Sequence, residues 1–257
     1  MSSKLSVRQI LKRSGLFTSR EAMEQAVQQQ RVLYKQKPVP HLMFHIPAKD
    51  FLFVDGKPLR MLKKRYFILN KPKQYTCQKN ESYPYVVDLI KVDEPTKKSL
   101  FPVGRLDVPS TGLLIITNDG EFASQLLQPK QKVPKTYAVF LKYPLTEAMI
   151  DQLQAGVKIH LKRRATDKSA TEESYQTLPA QVVRATPESH DRCLITLVEG
   201  KYRQVRMMFK AVQNIVLDLS RVQIGGLQLA DLKLAEGAYC EMHGEELKKR
   251  IFRNSLF

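Results

Sequence analysis

The stretch of residues 101–120, FPVGRLDVPSTGLLIITNDG, limits the possible folds more than any other part of the chain. Residues 113–116 are all large and aliphatic, which predicts a strongly apolar strand. Pro109 and Gly112 precede them and predict a turn. That turn holds a lone aspartate, Asp107, two residues after Arg105. We therefore expect a strongly apolar strand that follows a turn with one carboxylate.

The remaining elements predict a mixed α+β domain. Strands are predicted where short apolar runs end at turn residues, in RYFILN, GLLIITN, TYAVFLK, PAQVVRA, CLITLVE and IVLDLSRV. Helical spacing of apolar residues occurs in EFASQLLQ, TEAMIDQLQAG and KYRQVRMMFKAVQN. Strands outnumber helices and no strand-helix unit repeats regularly, so the sheet is predicted to be largely antiparallel. The polar, aperiodic residues 161–178 predict a surface loop.

Residues 1–60 predict a smaller, separate unit. KLSVRQILKRSG and TSREAMEQAVQQQ each predict a short helix, and both Ser6 with Gln9 and Thr18 with Glu21 have the spacing of a capping box. The segments RVLYKQKPV and DFLFVDGKPL predict short strands. The basic stretch RMLKKR then marks a junction. The predicted domains are therefore residues 1–60 and residues 61–257.

The net charge indicates a polyanionic partner. The 42 Lys and Arg residues exceed the 25 Asp and Glu residues, which gives a net charge of +17. Residues 1–60 are the more basic part by density, with 11 Lys and Arg against 4 Asp and Glu. Such an excess is typical of nucleic-acid-binding proteins, and a basic solvated surface without a partner is the alternative.

Cysteine usage and hydropathy predict a cytoplasmic protein. The cysteines, Cys77, Cys193 and Cys240, are odd in number and far apart, which disfavours a disulfide framework and a cysteine-rich metal site. A reducing compartment fits this usage best. The sequence contains no run of about 18 apolar residues and no signal-peptide core near its start. We expect a cytoplasmic monomer without membrane attachment.

The predicted helix after Gly200 separates an apolar face from a cationic face. Its apolar residues are Val205, Met208, Phe209 and Val212, and its cations are Arg203, Arg206 and Lys210. On its own, this pattern is typical of a solvated amphipathic helix. The arginines could also clamp phosphates or neutralise a carboxylate, because guanidinium binds oxyanions in a bidentate fork.

Asp107 allows two interpretations. By default, a turn aspartate accepts hydrogen bonds from its own backbone. Held against an apolar wall, its pKa would rise, and an arginine partner would keep it ionised and nucleophilic. Such a group suits covalent attack on a sugar or base carbon without a metal ion. Tyr137 is a core aromatic by default, but over a pocket it could stack on a base.

Other chemistries find less support in the sequence. Neither GxxxxGK[ST] nor GxGxxG occurs, so no phosphate-binding loop of that kind is indicated. His41 and His45 are four residues apart, but they lie beside prolines and lack a paired Glu or Cys. No serine has the G-x-S-x-G setting of a hydrolase nucleophile.

Five ordered motifs lie within residues 64–244: YFILNKP, GRLDVPSTGLLIITNDGE, KTYAVFL, EGKYRQVRMMFKAV and RVQIGGLQL. Together they resemble the motifs of the RsuA group of pseudouridine synthases, the branch that modifies single uridines in ribosomal RNA. The second motif is similar to the group's long G-R-L-D signature. The resemblance implies a pseudouridine synthase catalytic domain with a mixed, largely antiparallel sheet.

Residues 1–60 resemble the alpha-L RNA-binding motif named for the small-subunit ribosomal protein S-four, which commonly precedes this catalytic domain. The match departs from the family pattern at two turns. Gln30 stands where the family usually has Gly before R-V, and Gln36 lies near its usual N-G or D-G turn.

The resemblance implies a role for each matching position. Asp107 would be the catalytic nucleophile, Tyr137 would stack on the target uracil, and Arg206 would be the basic partner of Asp107. Val205 would pack against the base, and Arg105 and Arg203 would contact the RNA backbone. The implied reaction flips out the uridine, breaks its glycosidic bond and rejoins uracil through carbon 5, with no cofactor and no metal.

The implied partner is ribosomal RNA, either free or in a partly assembled small ribosomal subunit. The Y-x-Q-V form of the arginine helix and the passage from LFVDGKPL to RYFILNKP look most like enzymes of small-subunit (16S) rRNA. Enzymes of large-subunit (23S) rRNA share nearly every motif and stay an alternative. A non-catalytic ribosome-assembly protein that binds RNA is the other alternative, suggested by the net charge and by the departures at Gln30 and Gln36.

Overall fold

The computed structural model describes residues 4–17, 19–59, 62–161 and 173–252. Its first part forms two short helices and two small sheets, which confirms the helices and strands predicted there. The elements are β1 (Lys4–Ser6), α1 (Val7–Ser14), α2 (Arg20–Gln28), β2 (Val32–Tyr34), β3 (Lys37–Pro38), β4 (His45–Pro47), β5 (Phe53–Val54) and β6 (Lys57–Pro58).

Capping residues explain where the first two helices begin. The Ser6 hydroxyl accepts a hydrogen bond from Gln9 N at 3.2 Å, and the Gln9 side chain accepts one from Ser6 N at 2.8 Å, which is the predicted capping box. The Ser19 hydroxyl caps α2 by accepting from Ala22 N at 3.1 Å. Thr18, for which a second capping box was expected, lies outside the described residues.

The two turns that depart from the family pattern keep the geometry that glycine would adopt there. Gln30 and Gln36 have left-handed backbones, with φ of 56° and 63°. Glycine adopts this conformation without steric cost, whereas another residue is strained by about 1 kcal/mol. The turns are therefore preserved with less suitable residues.

This first part has a core of its own and also contacts the rest of the chain. Its buried apolar side chains, from Val7 to Leu59, pack on one another. Gly15 lies against Pro95, where an added Cβ would be 1.9 Å from the carbonyl oxygen. Leu62 N donates a hydrogen bond to Arg13 O at 3.3 Å. The two parts therefore meet closely at the end of α1.

Residues 62–161 and 173–252 form a larger α+β unit. Its elements are β7 (Tyr66–Lys71), α3 (Glu94–Ser99), β8 (Phe101–Val103), β9 (Thr111–Thr117), α4 (Gly120–Leu127), β10 (Lys135–Leu141), α5 (Glu147–Ala155), β11 (Lys158–Leu161), β12 (Glu173–Gln176), β13 (Gln181–Arg184), β14 (Arg192–Leu197), α6 (Gln204–Ala211), β15 (Val216–Ile224), β16 (Leu227–Gln228), β17 (Tyr239–Glu241) and α7 (Gly244–Phe252). None of the described helices combines the length and hydropathy needed to cross a bilayer.

Nine of these strands form one sheet, with the order β13-β14-β10-β15-β9-β7-β17. The short strands β8 and β16 pair in addition with β9 and β15. The pairing of β9 with β15 is parallel, and the other described pairs of this sheet are antiparallel. The predicted α+β fold around a largely antiparallel sheet is confirmed.

Strand β9 is buried along its whole length, as its apolar run predicts. Leu113 and Ile115 pack into the cluster that includes residues of α4 and α7. Leu114 and Ile116 pack into a separate cluster on the other face of the sheet. Both faces of the strand are covered, so four consecutive aliphatic residues are needed where a half-exposed strand would alternate.

Gly112 permits the parallel pairing at the start of β9. Its φ is +102°, and an added Cβ would lie 2.3 Å from Arg221 O. Arg221 is buried and donates from Nε to Leu113 O at 2.8 Å. The glycine therefore lets β15 approach at the point where the Asp107 turn enters the sheet.

Two sequence predictions need correction. Of the loop predicted at residues 161–178, residues 162–172 lie outside the described part, but residues 173–176 form β12 and pair with β11. The residues of β12 are mostly polar, so they show no alternation of apolar and polar residues from which a strand could be predicted. The helix predicted directly after Gly200 begins only at Gln204, because Arg203 has a left-handed backbone with φ of 49°.

Candidate active site

The loop between β8 and β9 places Asp107 at the end of β9 that pairs with β15. Ser110 N donates to Asp107 O at 3.0 Å and closes the predicted turn. The neighbouring Leu106 is buried, while the Asp107 side chain is 29% exposed. The carboxylate is therefore partly sheltered but still open to a ligand.

Lys71, which the sequence analysis missed, holds this loop from beneath. It is fully buried at the end of β7. Its Nζ donates to the carbonyl oxygens of Ser110 at 2.8 Å, Asp107 at 3.2 Å and Val108 at 3.3 Å. Burial lowers the pKa of Lys71. The available signal in the sequence was a lysine at the end of the apolar run of β7. Lysine is rarely buried unless its ammonium group is paired, so a lysine in that position indicates a set of acceptors around it.

Arg203 supplies the ion pair that reaches Asp107. Its Nε lies 3.8 Å from Asp107 Oδ2, and its side chain is 48% exposed. The left-handed backbone of Arg203 places it directly before α6. A non-glycine residue in that conformation is strained, and such strain is common at functional sites. The resemblance had implied only an RNA-backbone contact for Arg203.

Arg206 lies deeper than Arg203. Its Nη1 donates to Val216 O at 2.9 Å, while its Nε is buried without a partner among the described residues. Burial lowers the pKa of Arg206, and the nearby Asp107 carboxylate opposes that effect. The Asp107 carboxylate therefore interacts electrostatically with Arg206, but the ion pair with Asp107 is formed by Arg203. The resemblance had implied Arg206 as the basic partner of Asp107, whereas in the structure Arg203 forms the ion pair.

A small cavity of about 70 Å³ brings five of the six expected site residues together, all except Arg206. Asp107, Tyr137 and Val205 all line it, together with Leu197 and Leu219. Tyr137 extends from the middle of β10 and is half-buried, and Val205 is buried on the first turn of α6. An aromatic ring and aliphatic side chains beside a carboxylate make this part of the cavity suited to a flat ring, and the polar side chains of Glu199 and Gln204 also line it.

A wider cavity of about 520 Å³ adjoins the small one. Both are lined by Arg105, Asp107, Lys201 and Arg203. Arg105 is exposed and lines the wider cavity together with the buried Cys77. The site is therefore a cationic cleft with the carboxylate at its narrow end. Among the described residues, no three His, Cys, Asp or Glu side chains are grouped to hold a metal ion.

A hydrogen-bond network around Glu199 fixes the start of α6. The Glu199 carboxylate accepts from Tyr175 Oη at 2.6 Å and from Leu178 N at 2.9 Å, and Gln204 Nε2 also donates to it. Gln204 Oε1 in turn accepts from Lys201 N at 2.9 Å. The hydrogen bond to Glu199 raises the pKa of Tyr175 to about 12. The β11–β12 hairpin is thereby linked to the segment that carries Arg203.

The fold and the site together define an enzyme domain with a carboxylate in a cationic cleft, suited to a polyanionic substrate with flat rings. Residues 65–211 match the family model described as RNA pseudouridylate synthase. The ribosomal small subunit pseudouridine synthase A of Yersinia pestis is 38% identical over 203 residues, which is 78% of this chain and 79% of that protein. An uncharacterized RNA pseudouridine synthase of Bacillus subtilis (strain 168) is 36% identical, over 93% of this chain and 95% of its own length.

A solved structure agrees with these matches. The crystal structure of a pseudouridylate synthase matches this chain with a TM-score of 0.64 and 30% sequence identity. The match covers 96% of this chain and 100% of the chain in that crystal structure. The chain therefore belongs to the RNA pseudouridine synthase family, and its resemblance to the RsuA group is confirmed.

Proposed function

We propose that this protein isomerises one uridine of small-subunit ribosomal RNA to pseudouridine, with Asp107 as the nucleophile. The observation that carries the proposal is the small cavity that Asp107, Tyr137 and Val205 line together. Membership of the RNA pseudouridine synthase family supplies the reaction class. The similarity to a ribosomal small subunit pseudouridine synthase A supports the choice of rRNA.

The target uridine leaves the RNA stack and enters the small cavity, where Tyr137 stacks on uracil and Val205 packs against it. The Asp107 carboxylate attacks ribose C1′ and forms a bond to it as the bond between C1′ and uracil N1 breaks. Uracil turns, and its C5 forms a bond to C1′ as the bond between C1′ and Asp107 breaks, which regenerates the carboxylate. The hydrogen at C5 leaves to water and N1 takes up a proton, so the product is an isomer of the substrate.

The arginines act on charge in this mechanism. Arg203 pairs with the Asp107 carboxylate at 3.8 Å, and the Arg206 guanidinium interacts with that carboxylate at longer range. Arg105, which is exposed on the wall of the wider cavity, binds the RNA backbone. Phosphate contacts of this kind offset the few kcal/mol that flipping of a base costs. No cofactor or metal ion takes part in these steps.

Residues 1–60 act as a separate RNA-binding domain, followed by the catalytic domain at residues 61–257. Their own apolar core and their basic composition support this division. A chain that lacks residues 1–60 should bind rRNA more weakly than the full chain and still release the C5 hydrogen of uracil. Unchanged affinity would contradict the role of this domain. We further propose that the protein works as a cytoplasmic monomer on rRNA or on a partly assembled small subunit.

The test of the reaction uses small-subunit and large-subunit rRNA transcripts labelled with tritium at uracil C5. Release of tritium from the small-subunit transcript alone is the expected result. Release from the large-subunit transcript alone would move the substrate to that rRNA. If neither the transcripts nor a labelled, partly assembled small subunit releases tritium although both transcripts bind in a salt-sensitive way, the result favours an assembly factor that binds RNA without isomerising it.

A further inference from the structure

The wider cavity is lined by an exposed aromatic side chain that the proposed reaction does not use. Tyr202 lies in the turn before α6, between Lys201 and Arg203, and is 54% exposed. Among the residues that the structure describes, no hydrogen bond or ring contact engages its side chain. The nearby Tyr175 differs, because its hydroxyl donates to Glu199 and Lys201 Nζ lies 4.2 Å from its ring centre.

The two cavities differ in the ligand they can hold. The small cavity, at about 70 Å³, is the narrow one next to Asp107, and the wider one, at about 520 Å³, opens from it. Residues 76–78 and 104–109 form one wall of the wider cavity, and residues 200–203 form the other. When uracil occupies the narrow cavity, the adjoining part of the RNA strand passes through the wider one.

The chemistry of the wider cavity suits a nucleotide. Arg105 and Arg203 place guanidinium groups on its two walls, and these groups bind phosphates in a bidentate manner. An exposed tyrosine between two cations offers a ring face on which any base can stack. Aromatic stacking next to positive charge is how single-stranded RNA is commonly held.

We propose that the wider cavity is a binding site for a nucleotide adjacent to the target uridine, and that Tyr202 stacks on its base. The inference rests on the proposed function and specifies how that function selects its RNA. The flanking base holds the strand while the uridine is extruded, so Tyr202 contributes to substrate binding and Asp107 to the bond changes.

Three variants test the role of Tyr202 in tritium release from the small-subunit transcript. Tyr202→Ala should raise KM about ten-fold with little change in kcat, because stacking on the flanking base is present before and during the reaction. Tyr202→Phe keeps the ring and should stay within about two-fold of the wild type. Tyr143→Ala is the matched control, since Tyr143 is similarly exposed at 44% and does not line either cavity.

A second experiment couples the residue to the base. The modified uridine is first located in the transcript, and short RNAs are then made with an abasic site on its 5′ or 3′ side. For one of the two positions, the wild type should lose about ten-fold in kcat/KM, whereas Tyr202→Ala should lose less than about two-fold further. Equal losses in both proteins would overturn the proposal.

The outcomes separate the two proposals. If the wild type releases no tritium from any rRNA, the proposed function fails and this nucleotide site fails with it. If the wild type is active and Tyr202→Ala has the same KM, only the nucleotide site is wrong. A fall in kcat alone, shared by Tyr202→Ala and Tyr202→Phe, would likewise contradict stacking and indicate a structural role in the turn before α6.

Discussion

Replacement of Lys71 by methionine should weaken both the fold and the catalytic loop. The Lys71 ammonium, with its three N–H groups, lies within hydrogen-bond distance of four carbonyl oxygens, those of Pro72 at 3.0 Å, Ser110 at 2.8 Å, Asp107 at 3.2 Å and Val108 at 3.3 Å. Methionine has a similar length and no donor. The variant therefore keeps most of the packing volume and removes only the hydrogen bonds and the charge.

The size of the expected loss in unfolding free energy depends on which carbonyl oxygens keep another hydrogen-bond donor in the variant. Asp107 O still accepts from Ser110 N, and Val108 O still accepts from Gln74 N, both at 3.0 Å. The carbonyls of Pro72 and Ser110 are left without that donor, at about 1–3 kcal/mol for each one that is buried. The variant no longer has to desolvate an ammonium group, which offsets part of this loss. We expect the free energy of unfolding to fall by about 3 kcal/mol.

Urea unfolding followed by far-ultraviolet circular dichroism measures this change, because the chain contains no tryptophan. Lys73→Met is the matched control. Lys73 is 53% exposed in a surface ion pair with Asp218, so its loss should change the unfolding free energy by less than about 1 kcal/mol. Tritium release by Lys71→Met should also fall, since the Asp107 loop loses its support. If the two variants unfold alike and are equally active, the account of the loop is wrong.

Two further predictions concern the sheet. Gly112→Ala should lower the unfolding free energy by about 3 kcal/mol, because an added Cβ would lie 2.3 Å from Arg221 O at a φ of +102°. Gly120→Ala is the control, because nothing lies within 4 Å of a Cβ added there. Equal stability of the two variants would contradict the close approach of β15 to Gly112. Burial lowers the pKa of Lys135 from 10.5 to about 8. Between these two pH values, the Lys135 side chain is therefore protonated in the unfolded chain and deprotonated in the native protein. Stability should therefore rise with pH across that window in the wild type relative to Lys135→Met, and a pH-independent difference between their unfolding curves would refute the shift.

Most of the sheet could be predicted from the sequence because its strands are short apolar runs bounded by turn residues. The strands that were not predicted are β8, β16 and β17 of this sheet and the separate pair of β11 and β12. In β12, polar side chains gave no period of two, and only pairing with β11 defines the strand. The start of α6 was misplaced for a related reason. Apolar spacing locates a helical face, whereas the left-handed backbone of Arg203 depends on the Glu199 network, whose members Tyr175 and Leu178 lie far earlier in the chain.

The candidate site could be predicted in part. The motifs indicated Asp107, Tyr137 and Val205, and the fold brings all three to one cavity. They did not indicate Lys71, because its acceptors belong to a loop that lies much later in the chain, and the sequence alone does not show that pairing. The resemblance indicated Arg203 as a contact of the RNA backbone, but not its ion pair with Asp107, because that distance depends on the turn before α6 and not on helical spacing.

The most direct test of the central claim compares tritium release by the wild type, Asp107→Asn and Asp151→Asn on the same small-subunit rRNA transcript, with rRNA affinity measured alongside. Asp151 is exposed on α5 and does not line either cavity, so its variant controls for the loss of one negative charge. The account predicts normal affinity for all three proteins, normal release by Asp151→Asn and no release by Asp107→Asn. Release by Asp107→Asn at the wild-type rate would contradict it and leave Asp107 as a turn residue.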